Sequence, residues 1–181
     1  MLINFLYSTL IAVWSLTFVG HENNVLIKFC NIGDDISAIE RNIYCEDSKG
    51  LNQNLSNCST KRFRYFPSQT DSAEFPAIKF NDVLIVGNSE NIVQSIWLMQ
   101  TYYPDSLIGD RILFNKDYNT LKNYLNQTLK VVPEKTIEKM KDEGKLTGLL
   151  WRSEFLVYHL KVSESKTRSK QTMHRISVQI R

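Results

Sequence analysis

The chain has 181 residues, 43% apolar and 23% charged, a globular balance that excludes a disordered or collagen-like polymer. That length suits one domain burying about 70% of its unfolded surface. The formal charge of +3 is uneven: Lys161 to Arg181 carries six Lys/Arg against one Glu, and the rest is slightly acidic. The whole-chain pI therefore gives no argument for a nucleic-acid partner.

Residues 1–19 are apolar but carry no Lys or Arg before Lys28, unlike the basic start of a signal peptide, and are interrupted by Asn4, Ser8, Thr9, Ser15 and Thr17, which argues against a membrane span. Ala12, Trp14, Leu16 and Phe18 alternate with polar positions, which predicts a buried strand over Ala12–Phe18, ended by Gly20 before a helix start at His21-Glu22. Ile36, Ile39, Ile43 and Tyr44 suggest a helical face ending near Gly50, and residues 51–62 an exposed loop. Phe63 to Phe66 reads as a short strand. The runs AIKF and VLIV, joined through Asn81-Asp82, read as a hairpin.

From Glu90 to Leu129 the spacing predicts two short helices. Ile92, Ile96, Met99 and Tyr103, with Val93 and Trp97, form the first apolar face, capped by Asn88 or Ser89 and stopped by Pro104. Trp97 and Tyr103 are expected in the core. Gly109-Asp110 is read as a break, and Tyr118, Leu121, Leu125 and Leu129 form the second stripe. Residues 130–145 are charged, with Pro133 suited to open a helix and Gly144 to close it. Leu149, Leu150, Trp151 and Phe155 are expected as an exposed apolar patch that a neighbour would cover. These elements predict an α/β (α+β) domain, a mixed sheet packed by helices, over residues 1–160, followed by a basic flexible tail over 161–181.

Cys30, Cys45 and Cys58 match no zinc spacing and are read as reduced thiols rather than a disulfide framework. The sequons at Asn54, Asn57 and Asn126 matter only if the chain is secretory. The expected location is cytoplasmic, with a secretory alternative if residues 1–19 are a leader.

Several blocks in order resemble the insulysin/nardilysin branch of the pitrilysin-type zinc metallopeptidases, across roughly residues 8–160. They are Ser15-Leu16-Thr17 with Gly20-His21-Glu22; Tyr44-Cys45-Glu46 with Leu51-Asn52 and Phe63-Arg64-Tyr65; Gln69-Thr70-Asp71 with Glu74-Phe75; Met99, Tyr103-Pro104 and Gly109-Asp110; then Pro133 and Trp151 with Phe155 and Leu160. The resemblance implies the non-catalytic second domain, scaffolding a peptide-binding chamber. Zinc in that family is bound by an upstream domain through HxxEH, and none of His21, His159 and His174 stands in such a motif. No catalytic, cofactor-binding or metal residue is therefore expected in this chain. The implied partners are a missing catalytic domain or a second copy, with peptide substrates, no nucleic acid and no membrane. Two alternatives stand beside it. Residues 82–89, DVLIVGNS, followed by a helix, are similar to the opening of a sialyltransferase-like nucleotide-sugar enzyme. The apolar start and the sequons suit a secreted interaction protein without enzymatic activity.

Overall fold

The computed structural model describes residues 30–40, 42–47, 50–53, 55, 57–67, 78–105, 108–139, 145–167 and 169–181. The strand expected over Ala12–Phe18, the helix start at His21-Glu22 and the run Phe75–Ala77 lie outside them. Nine antiparallel strands make one sheet: β1 (Ile43–Asp47), β2 (Gly50–Asn52), β3 (Arg62–Tyr65), β4 (Asp82–Gly87), β5 (Val93–Tyr102), β6 (Glu134–Lys139), β7 (Lys145–Arg152), β8 (Val157–Lys166) and β9 (Thr172–Ile180). Their spatial order is β2-β1-β3-β4-β5-β9-β8-β7-β6. One α-helix, α1 (Ile108–Leu129), lies between β5 and β6 in sequence and packs on β5 and β9. The α/β reading of helices packing a mixed sheet is therefore wrong: the fold is β-rich, antiparallel throughout, with one α-helix among the described residues.

The largest correction falls on residues 90–103. They form strand β5 rather than a helix, paired with β4 on one side and β9 on the other. Apolar side chains stand at both two- and three-residue spacings here, so the periodicity suits either conformation. The turn chemistry decides. Asn88 Oδ1 does accept from downstream backbone, but from the N–H groups of Glu90 and Ile92 at 2.9 Å each, which closes a hairpin rather than opening a helix. Asn91 sits in the left-handed region at φ 63° and completes the turn.

The expected AIKF–VLIV hairpin does not form either, since β4 pairs with β3 and β5. Residues 134–139 form the charged edge strand β6, with Ile137 its one apolar residue, instead of a helix from Pro133. The helical face over Ile36–Tyr44 is a single 3-10 turn at Ile36–Ala38 followed by β1. The expected basic tail is also a strand. Residues 172–180 form β9, paired to β5 and β8 near the middle of the sheet. Its alternation His174, Ile176, Val178, Ile180 puts the apolar side chains on one face, while Ser177 and Gln179, also buried, lie on the other, which leaves the segment polar on average.

Register defines the two faces. One carries Phe63 and Tyr65 (β3), Val83 and Ile85 (β4), Ile96, Leu98 and Tyr102 (β5), Ile176 and Val178 (β9), Leu160 (β8) and Trp151 (β7), all buried. The other carries Arg62, Arg64, Trp97, Lys161, His159 and Gln179. With α1 packed against β5 and β9, this apolar face is buried. The core is accordingly continuous from Phe63 to Trp151, both fully buried.

Trp151 and Leu149 therefore belong to the core, Leu150 is buried on the opposite face beside His159, and only Phe155 of the expected patch is exposed. Trp97 and Tyr103 are corrected in the opposite sense. Trp97 is half-buried on the polar face beneath Lys161, whose Nζ lies 5.0 Å from the ring, and Tyr103 is exposed.

The stripe of α1 is as expected, with Leu121 and Leu125 buried and Tyr118 and Leu129 packed against the core. Gly109-Asp110 does not break it, because Ile108 already begins the helix and Asp110 Oδ2 accepts from the Tyr103 N–H at 2.8 Å. Lys130, at φ 52°, ends it, its N–H reaching the Asn126 carbonyl at 3.1 Å.

Cys45 and Cys58 form a disulfide between β1 and the turn before β3, so the reading of three reduced cysteines is overturned. Two buried cysteines brought together across a β1–β3 loop can pair at any sequence spacing the loop allows. Cys30 is free and buried, its thiol pushed up to about 12 by burial and by the nearby Asp34.

Candidate ligand-binding site

The apolar face turns polar at one end, where β5 leaves the sheet and α1 begins. The pairing Tyr102↔His174↔Glu164 crosses β5, β9 and β8 there, with Gln100 and Ile176 paired one step further in. Gln100 and His174 are thus diagonal neighbours on the inward face. From α1, Phe114 lays an edge against both rings, 5.5 Å from Tyr102 and 4.9 Å from His174. One turn on, Asp117 Oδ2 accepts from the Tyr102 hydroxyl at 2.8 Å.

The partners of Tyr102 and His174 set which of their atoms donate. Burial, then the hydrogen bond to Asp117, pushes the Tyr102 phenol far above its ordinary value. Tyr102 is therefore a permanent donor, held for structure and unavailable as a base. His174 Nε2 lies 3.3 Å from Glu164 Oε2, so that nitrogen carries the hydrogen and donates to the carboxylate. With the hydrogen on Nε2, Nδ1 is an acceptor, and it is buried without a hydrogen-bond partner among the described residues. Gln100 Oε1 is a second buried acceptor without one. The loop beside them is pinned by Asp105, whose Oδ2 accepts from the Thr172 N–H at 2.8 Å. That hydrogen bond is the main reason the Asp105 carboxyl lies below its ordinary value, with Lys166 adding a smaller pull.

Unpaired buried acceptors cost about 1–3 kcal/mol each. Two on neighbouring strands, set among aromatic rings, form an arrangement that a donor-bearing molecule would complete. These groups offer ring contacts and acceptors.

A second polar cluster lies on the opposite face. Arg64 bridges Glu46 at 3.2 Å and Asp82 at 2.7 Å, and Arg62 joins Glu46 at 3.2 Å. Burial works to raise the Glu46 carboxyl, but the hydrogen bonds and charges of Arg64 and Arg62 outweigh it and hold it below its ordinary value. The cluster ties β1, β3 and β4 together, with Asp82 Oδ2 taken by Arg64 and Asp82 Oδ1 left buried without a hydrogen-bond partner among the described residues.

Of the three histidines, His21 lies outside the described residues, and the other two stand on opposite faces. His159 bonds Thr136 at 2.8 Å on the outer side, and His174 enters the site. Among the described residues no group of three His, Cys, Asp or Glu is placed to hold a metal ion. The glycine of DVLIVGNS closes a strand before a hairpin turn, so the helix start that a nucleotide-sugar reading requires is not formed. No helix among the described residues is long and apolar enough to cross a membrane.

Gln100, Tyr102, Phe114, Asp117, Glu164 and His174 went unnoticed as a group in the sequence. The signal present was the alternation His174-Ile176-Val178-Ile180, which puts the histidine on the apolar face. Compared with protein-family models, with curated proteins and with solved structures, the chain matches none, and the resemblance to the insulysin/nardilysin branch gains no support from them.

Proposed function

We propose that this chain is a non-enzymatic carrier of a small molecule, bound on the inward face of the sheet where α1 meets β5 and β9. The observation that supports this is the pair of buried acceptors, Gln100 Oε1 and His174 Nδ1, without hydrogen-bond partners among the described residues. The ligand has an apolar, ring-sized body that packs against Phe114 and Tyr102, and a hydrogen-bond donor that the two acceptors receive. The Cys45–Cys58 disulfide supports a place in an oxidising, exported compartment instead of the cytoplasm expected from the sequence.

The test is a thermal-shift and calorimetric titration with phenols, indoles and primary amines on an apolar ring, each beside an isostere lacking the donor. The donor-bearing members should raise the melting temperature, by an amount equivalent to about 2.7 kcal/mol at a hundred times the dissociation constant. Binding should weaken at least about tenfold in Gln100→Leu and in His174→Phe, in line with the loss of a buried hydrogen bond. Equal binding of donors and isosteres, or no change in either variant, would refute the reading.

A further inference from the structure

We infer that Asn57 carries an N-linked oligosaccharide and that Asn126, which has the same sequence signature, does not. Asn57-Cys58-Ser59 lies in the turn between β2 and β3, with Asn57 and the required hydroxyl residue Ser59 both exposed. The middle residue is half of the Cys45–Cys58 disulfide, so this turn matures in an oxidising compartment. In the eukaryotic secretory pathway, that compartment also supplies lipid-linked oligosaccharide. Cys58 is buried beneath the turn and holds it by bonding Cys45, while its neighbours on either side point to solvent. A large, hydrated substituent on Asn57 would extend away from the core.

Asn126-Gln127-Thr128 presents the opposite case. The Asn126 side chain is half-buried near the end of α1, and its Oδ1 accepts from the Trp151 indole N–H at 3.0 Å. Trp151 is fully buried, and Leu125 beside Asn126 is 1% exposed. An oligosaccharide on that amide would have to leave from the joint between helix and sheet.

The transfer at Asn57 needs no redox partner. Its Nδ2 forms a bond to C1 of the first sugar of a lipid-linked oligosaccharide diphosphate. The C1–O bond to the diphosphate breaks, the lipid diphosphate leaves with the electron pair, and the amide gives up one proton. This inference is independent of the proposed ligand.

The test uses the full chain sent through the secretory pathway of eukaryotic cells behind a heterologous leader. Peptide N-glycosidase in heavy-oxygen water converts each occupied asparagine to labelled aspartate, which peptide mass spectrometry locates. Label at Asn57, none at Asn126, and loss of the corresponding mobility shift in Ser59→Ala but not in Ser59→Thr are the expected results. The Ser59→Ala change leaves the adjacent Asn54-Leu55-Ser56 signature intact, so the two positions are told apart. Secreted protein with Asn57 unlabelled, or with Asn126 labelled, would overturn the assignment.

Discussion

The indole N–H of Trp151 donates to Asn126 Oδ1 across 3.0 Å and ties strand β7 to the last turns of α1. Trp151 is fully buried, so its donor has no access to water if Asn126 is truncated. Asn126→Ala should lower unfolding stability by about 1–3 kcal/mol, the cost of a stranded buried donor. In a Trp151→Phe background, where no donor remains, the same truncation should cost clearly less. A double-mutant cycle in urea reads the difference.

The cysteines give a stoichiometric prediction. Native protein should show no rapidly reacting thiol, because Cys30 is buried with its thiol pushed up to about 12 and the other two are bonded. Denaturant alone should reveal one thiol, and denaturant with reductant all three. Replacing Cys45 and Cys58 by Ser should cost about 2–4 kcal/mol through the freed unfolded chain.

Gly148 is fixed by its surroundings. A Cβ there would stand 2.6 Å from Thr136 Oγ1, 2.7 Å from His159 Nε2 and 2.9 Å from the Leu160 carbonyl oxygen. The Thr136–His159 hydrogen bond passes over this glycine, and the carbonyl cannot swing aside within the β7–β8 ladder. Gly148→Ala should destabilise by about 1–3 kcal/mol. Thr136→Ala together with Gly148→Ala should recover part of the loss in thermal unfolding.

Glu46 sets a pH dependence. Its carboxyl is held below the ordinary value in the folded chain, so its contribution is fully present above that ordinary value. The contribution is lost as pH falls through the lower, folded value. Urea midpoints of wild type and Glu46→Gln should therefore converge on acidification and separate again towards neutrality. A constant gap across the carboxylate range would show that the ion pairs with Arg62 and Arg64 contribute nothing.

What could be read in the sequence follows from periodicity. The Tyr118, Leu121, Leu125 and Leu129 stripe admits only a helix, and it lies in one. Residues 93–102 offered apolar positions at both spacings, and the choice was made by neighbours distant in sequence, β4 and β9, which no local pattern reveals. In β9, His174, Ile176, Val178 and Ile180 alternate with Arg175, Ser177 and Gln179, and the segment looked like a polar tail until β5 and β8 stood on either side of it. The disulfide was hidden for the same reason, since Cys45 and Cys58 meet through pairing of β1 with β3. The site was least legible. Its acceptors come from β5 and β9, its rings from β5 and α1, and only the register Tyr102↔His174 brings them together.

The claim that Gln100 and His174 await a donor is tested most directly by side-chain nitrogen NMR of the protein titrated with the tightest donor of the ligand panel. His159, bonded to Thr136 on the outer face, serves as an internal reference. His174 Nδ1 should shift as the complex forms, while both His159 nitrogens stay in place. A bound ligand that leaves His174 Nδ1 unmoved would contradict the account.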